Sequence, residues 1–312
     1  MPARLKRVLP MAAVLALACV LRVWGLGFGL PMLSNFYVRP DESLLVIPAV
    51  RFFETAGNPA SLDYPLLLIA INAVCFQGWF LLARVLGWTQ AADLPADFVR
   101  DGTPYWLAAR GISVVVATLT VLVVYRIARR VGSRTAAVLA ALLYATAPLA
   151  ARDGHFATTD NLLTFLVMAA LYAALRHIEG KPRALQAAAL LVGLAVSTKY
   201  AAWLALPALL LATLLGRSGP LWRLLLICLV IPAAVFVLVN PYVLWRWGEF
   251  TWLLGRILTV FYMHQPGDLP WTLPSALNQV FAPLRHGPGL LPGLLLCGIR
   301  PANPGRGLAG RA

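Results

Sequence analysis

The sequence predicts an all-α, polytopic membrane protein with about seven transmembrane helices and a long first outer loop that carries membrane-lying helices. Three observations predict this class. Of the 312 residues, 60% are hydrophobic and 12% are charged, whereas soluble domains run at about 45–50% and about 25%. Apolar runs approaching the roughly 20 residues that cross a bilayer recur along the chain. The charges also segregate by sign between alternate connections.

The spans are placed at 8–30, 104–126, 135–151, 161–176, 184–198, 201–216 and 221–240. Those at 161–176 and 184–198 are short, as expected of tilted, broken or re-entrant helices. Arg4, Lys6 and Arg7 ahead of the first run suggest a secretory signal, and Ala16-Leu17-Ala18-Cys19 suggests its cleavage site. The run continues to Leu30 and more spans follow, so it reads as an uncleaved first helix. With the N-terminus inside, the inner segments hold twelve basic residues (Arg4, Lys6, Arg7, Arg126, Arg129, Arg130, Arg134, Arg176, Lys181, Arg183, Arg217 and Arg223) against one acid, Glu179. The other eleven carboxylates fall outside. The net charge of +14 is therefore the positive-inside pattern of a plasma-membrane protein and not a nucleic-acid surface.

Arg39-Pro40-Asp41-Glu42 follows the first span. Pro40 suits the start of a helix, which runs through Ser43–Ala56 and is closed by Gly57. Asp41 has two readings, a helix N-cap or a group that does chemistry. Within the outer loop 31–103, residues 42–56 and 64–87 are apolar enough to lie in or on the membrane, separated at Asp63-Tyr64-Pro65, and 89–103 is polar surface.

A second outer loop, Arg152–Asn161, is dense in polar groups and includes His155. Asp160 opens the next helix, again as a cap or as a site residue. Lys199, in Ser197-Thr198-Lys199-Tyr200, falls near the outer surface against the charge bias. It either snorkels or meets a phosphate. After Asn240-Pro241-Tyr242 comes an aromatic stretch with Trp245, Trp247, Phe250 and Trp252, which suits an interface belt, and then His264. The four cysteines are isolated in apolar segments and read as small core residues. The chain divides into a membrane module, 1–283, and a Gly/Pro/Arg-rich tail, 284–312, which reads as a truncated or frame-shifted end.

The order and common sidedness of Arg39-Pro40-Asp41-Glu42, His155 to Asp160 and Ser197-Thr198-Lys199-Tyr200 resemble the GT-C glycosyltransferases. The likeness is to bacterial family 39 proteins, relatives of protein O-mannosyltransferases and of the lipid A aminoarabinose transferase, and it covers roughly residues 8–283. The resemblance implies transfer of a sugar, with inversion, from a polyprenyl-phosphate donor to a hydroxyl of a lipid, glycan or protein on the outer face. It implies Asp41 as general base, with Glu42 positioning the loop or the acceptor. Asp160 would hold sugar or acceptor, and Lys199 would meet donor phosphate, with His155 and Tyr64 also on substrate. Leu62-Asp63-Tyr64-Pro65 stands where some relatives carry Glu-Lys-Pro, so a phosphate-binding lysine is missing at that point. No cofactor is expected; a divalent metal, as in some relatives, would need Asp63 and His264. The competing readings are a polytopic transporter or lipid flippase, and an inactive truncated member of the same family.

Overall fold

The computed structural model describes residues 3–30, 39–181, 183–216 and 219–262. The described residues form helices only, in the order α1 (Ala3–Val23), α2 (Pro40–Val50), α3 (Leu66–Val85), α4 (Leu94–Arg100), α5 (Thr103–Val131), α6 (Arg134–Thr146), α7 (Pro148–Asp153), α8 (Thr159–Ile178), α9 (Ala184–Val196), a 3-10 turn (Tyr200–Ala205), α10 (Leu206–Gly216), α11 (Leu221–Val239), α12 (Tyr242–Trp245) and α13 (Trp247–Tyr262). The chain divides after Leu253 into two units, and of the second the described part is the end of α13. His264 and the tail 284–312 lie outside the described residues.

Among the described residues four helices are long and apolar enough to cross a membrane: α3, α5, α8 and α11. The other predicted spans are shorter apolar helices: Leu9–Val23 of α1, α6, α9 and the turn with α10. The first span stops at Val23, before the predicted Leu30, because the chain turns through Gly25 and Gly29, both at positive φ. The third breaks at Ala147-Pro148, where a proline cannot continue a helix. The helix after Pro40 ends at Val50; turns carry the chain on to Gly57, whose positive φ closes the segment as expected.

Short connections make α5–α6 and α8–α9 antiparallel hairpins. Ser133 caps α6 by accepting the Ala136 N–H. At the α9–α11 crossing a Cβ on Gly193 would lie 2.7 Å from Val235 Cβ and 3.0 Å from Pro232 Cα, so only glycine lets these backbones approach. Along α1, Met11, Val14 and Ala18 face Val121, Ala141 and Ala145 in an apolar core. Arg22 extends the same stripe, fully buried, with Nη1 donating to Ala18 O and to Ala145 O near the end of α6. Cys228 is buried beside Thr213; Cys19 and Cys75, expected in the core, are exposed.

The helix over 64–87 satisfies the length rule for a span, yet both its ends lie at one end of the bundle. Leu66 and Leu67 donate to Asn240 Oδ1 and Ser197 O, at the C-terminal ends of α11 and α9. Just past its other end, Thr89 donates to Asp97, which also accepts from Tyr105 in the first turn of α5. α3 therefore runs along this end of the bundle, in keeping with a membrane-lying helix.

Candidate active site

The same end of the bundle gathers the polar residues singled out from sequence. Arg39 is the N-cap of α2 and Pro40 its first residue, which puts Asp41 in the first turn and not at the cap. Asp160 likewise follows the N-cap, Thr158. Neither cap position makes a side-chain capping bond, so capping does not account for either carboxylate. Both still gain from the positive end of their helix dipoles.

Glu42 holds this end together. It is fully buried and bidentate to Arg110, with Nε–Oε1 at 2.9 Å and Nη2–Oε2 at 2.8 Å. Its Oε1 also accepts the Ala157 N–H at 2.7 Å. Arg110 Nη1 reaches back to Leu26 O and Phe28 O, both at 2.8 Å. One carboxylate thus ties together α2, α5, the loop before α8 and the exit from α1. Both its oxygens are engaged and it has no exposed surface, in keeping with the loop-positioning alternative expected of Glu42. Phe156 lies between two guanidinium groups, Arg39 at 5.3 Å and Arg110 at 5.4 Å from its ring centroid. Arg39 is paired with Asp153 at 2.6 Å.

Asp41, by contrast, is exposed. Burial, then the charge and hydrogen bond of Asp41, then the charges of Asp160 and Asp63, push the Tyr64 phenol up to about 12. Tyr64 therefore stays a neutral donor near neutral pH, and these charges bring Asp41, Tyr64, Asp63 and Asp160 into one neighbourhood. Lys199 completes it, with Nζ 2.6 Å from Asp160 Oδ1. That pair is 39% and 54% exposed, open to an incoming ligand. Lysine carries three N–H donors, so it can meet a phosphate oxygen while keeping Asp160.

Tyr64 is presented by a strap, residues 56–67, tied down from both sides. Tyr242 donates to Ala56 O, Arg246 to Pro59 O and Tyr200 to Leu62 O. Asn240 and Ser197 take the amides of Leu66 and Leu67. Asp63, in the same strap, accepts from Ser61 Oγ at 2.6 Å. Among the described residues no cluster of three or more His, Cys, Asp or Glu is placed to hold a metal ion. His155 Nδ1 donates to Arg152 O at 2.9 Å, and Nε2 is buried without a partner in the protein.

The model of the dolichyl-phosphate-mannose-protein mannosyltransferase family matches residues 105–262, just over half of the chain. The chain belongs to this family. It is thus a multi-pass membrane glycosyltransferase of GT-C type, as its resemblance implied. The mannosyltransferase match contains Arg110, Asp160 and Lys199; Asp41 and Tyr64 precede it. No curated protein and no solved structure matches the chain.

Arg110 was not among the residues singled out from sequence, although its signal was present: a lone charge inside an apolar span needs a partner. Asn240 and Tyr242 stood out as a motif, but only the fold shows that they hold the strap.

Proposed function

We propose that this chain transfers a sugar from a polyprenyl-phosphate donor to an acceptor hydroxyl on the outer face of the plasma membrane, with Asp41 as general base. The observation that carries the reading is the convergence of Asp41, Tyr64, Asp160 and Lys199 at one open end of the bundle. Asp41 is the exposed carboxylate of the acidic pair, while its neighbour is fully consumed by Arg110. In the reaction, the acceptor oxygen attacks the anomeric carbon and Asp41 takes the hydroxyl proton. The bond from that carbon to the phosphate oxygen breaks on the opposite side, which inverts the centre. Polyprenyl phosphate leaves with the electron pair, and Lys199, held by Asp160, faces the charge that develops on it. The reaction so drawn needs no cofactor.

The test is release of polyprenyl phosphate that depends on acceptor, measured for the wild type and for Asp41→Asn. Asparagine keeps the size and removes the base, so turnover is expected to fall on the order of a hundredfold or more, with donor affinity little changed. Near-normal turnover in this variant would remove Asp41 from the role and make Asp160 the next carboxylate to test.

A further inference from the structure

The far end of α5 carries charges that the reaction above does not use. α5 is long and apolar enough to cross a membrane. At the helical rise Arg130 stands roughly 30 Å along the axis from Arg110, about the thickness of a bilayer's hydrocarbon. It therefore belongs to the leaflet opposite the candidate active site. There Arg130 reaches across to α8. Its Nη1 lies 2.8 Å from Glu179 Oε2, its Nη2 donates to the Tyr172 hydroxyl at 3.3 Å, and its guanidinium stands 5.7 Å from the Tyr172 ring centroid. Arg176, one turn beyond Tyr172, approaches the same Glu179 oxygen at 3.9 Å. Arg126 lies one turn before Arg130 on the same face of α5 and is exposed. Three guanidinium groups thus share this end of the α5–α8 pair with a single bonded carboxylate. Arg130, Arg176 and Glu179 are each about a third exposed, so N–H donors remain within reach of a ligand.

Snorkelling bases solvated by water are the bland explanation. The helix surface leading to them points to a more specific occupant. Val115 and Leu119 lie at helical spacing on the same stripe as Arg126 and Arg130, and are 58% and 41% exposed. From Val115 to Arg126 is roughly 16 Å along the axis, about the depth of one leaflet's hydrocarbon. An apolar track of that length ending in basic groups has the profile of a phospholipid, with an acyl chain along the track and a phosphate at the guanidinium groups. We propose that Arg126, Arg130 and Arg176 form a binding site for an anionic phospholipid of the leaflet opposite the candidate active site. Its phosphate oxygens meet the N–H groups that Glu179 leaves free. Glu179 and Tyr172 already hold Arg130 in place, so part of the ordering is done before the lipid arrives.

The experiment is native mass spectrometry of the full-length chain in detergent micelles. The probes are phosphatidylglycerol, phosphatidylcholine with the same acyl chains, and glycerol phosphate as the headgroup without its chains. The wild type should bind phosphatidylglycerol about tenfold or more tightly than phosphatidylcholine, and glycerol phosphate should not displace it. Arg126→Gln and Arg176→Gln should each lower phosphatidylglycerol affinity about fivefold, the weight of one basic group near a membrane surface, and leave phosphatidylcholine unchanged. Glu179→Gln removes the competing carboxylate and should tighten phosphatidylglycerol binding. The control is Arg223→Gln, an exposed base on another helix, α11, stacked 5.0 Å from the ring of its neighbour Trp222; its loss should cost nothing. Equal affinity of the wild type for the two lipids overturns the site. So does an Arg223→Gln loss equal to that of Arg126→Gln, which would show attraction by overall charge. Displacement by glycerol phosphate would make the cluster a free-anion site and overturn the lipid as occupant. The bonds from α5 to α8 described above are made by Arg130 and not by Arg126, so Arg126→Gln should melt with the wild type. Should it melt low, the Glu179→Gln arm decides, and binding no tighter than wild type overturns the proposal.

Discussion

Substituting Glu42 by glutamine tests the keystone of this end of the bundle. The change keeps the shape and removes the charge. It strands the Arg110 guanidinium, whose Nε and Nη2 each donate to Glu42 at under 3 Å, in a place where neither side chain is more than 1% exposed. The new amide NH2 must also face a donor, either Arg110 or the Ala157 N–H that Oε1 accepts. Breaking a buried pair by removing one partner costs about 3–5 kcal/mol, because the remaining charge is left uncompensated. At roughly 2–4 °C per kcal/mol for a chain of this size, the melting temperature should fall by about 6–20 °C. The assay is thermal unfolding in nanodiscs, followed by tryptophan fluorescence. Replacing both partners, Glu42→Leu with Arg110→Met, removes the stranded charge and should recover most of the loss. A Glu42→Gln variant that melts within 2 °C of the wild type would show that the pair does not hold α2, and would leave acceptor positioning as the remaining expectation for Glu42.

Three further outcomes are expected. Lys199→Ala should weaken donor binding, read as a raised donor KM or dissociation constant, with little effect on melting, since exposed ion pairs contribute at most about 1 kcal/mol; unchanged affinity would leave snorkelling as the better account. Burial tends to raise the Asp97 carboxyl, but hydrogen bonds from Thr89 and Tyr105 and the nearby Arg100 outweigh it and hold the group below the usual range. Its contribution to stability is therefore full above about pH 4 and is lost as pH falls through its lowered value; melting of the wild type should decline from pH 5 to pH 2.5 more steeply than that of Asp97→Asn, and parallel curves would contradict the assignment. Finally, in a background with the native cysteines removed, a membrane-impermeant thiol reagent added to intact cells should label a cysteine placed at Ala92 and spare one at Ser133; the reverse would put Asp41 on the other face.

Much of the site was legible in the sequence because its chemistry depends on residue types that are rare in an apolar chain. Asp41, Asp160 and Lys199 stood out as charges beside spans, and the fold brings them together. Glu42 was legible as a member of the pair that positions the loop or the acceptor, but its partner Arg110 was not. Adjacent residues on a helix point in different directions, and which of two carboxylates meets a buried arginine is decided by packing that no spacing records. His155 was singled out by its neighbours in sequence; its bond to the Arg152 carbonyl is visible only in the fold. The helix of residues 66–85 carries the composition of a span yet was read as membrane-lying from its place in the outer loop, and the contacts at its two ends agree.

The strap that carries Tyr64 also implies an order of assembly. Glu42 can meet Arg110 once α5 has been made, 68 residues downstream. The ties from Asn240 and Tyr242 lie 174 and 186 residues downstream of the atoms they hold. During synthesis the acidic pair is thus anchored early, while the tyrosine opposite it waits until the end of α11 has left the ribosome. Until then neither Asn240 nor Tyr242 is there to fix the segment that carries Tyr64.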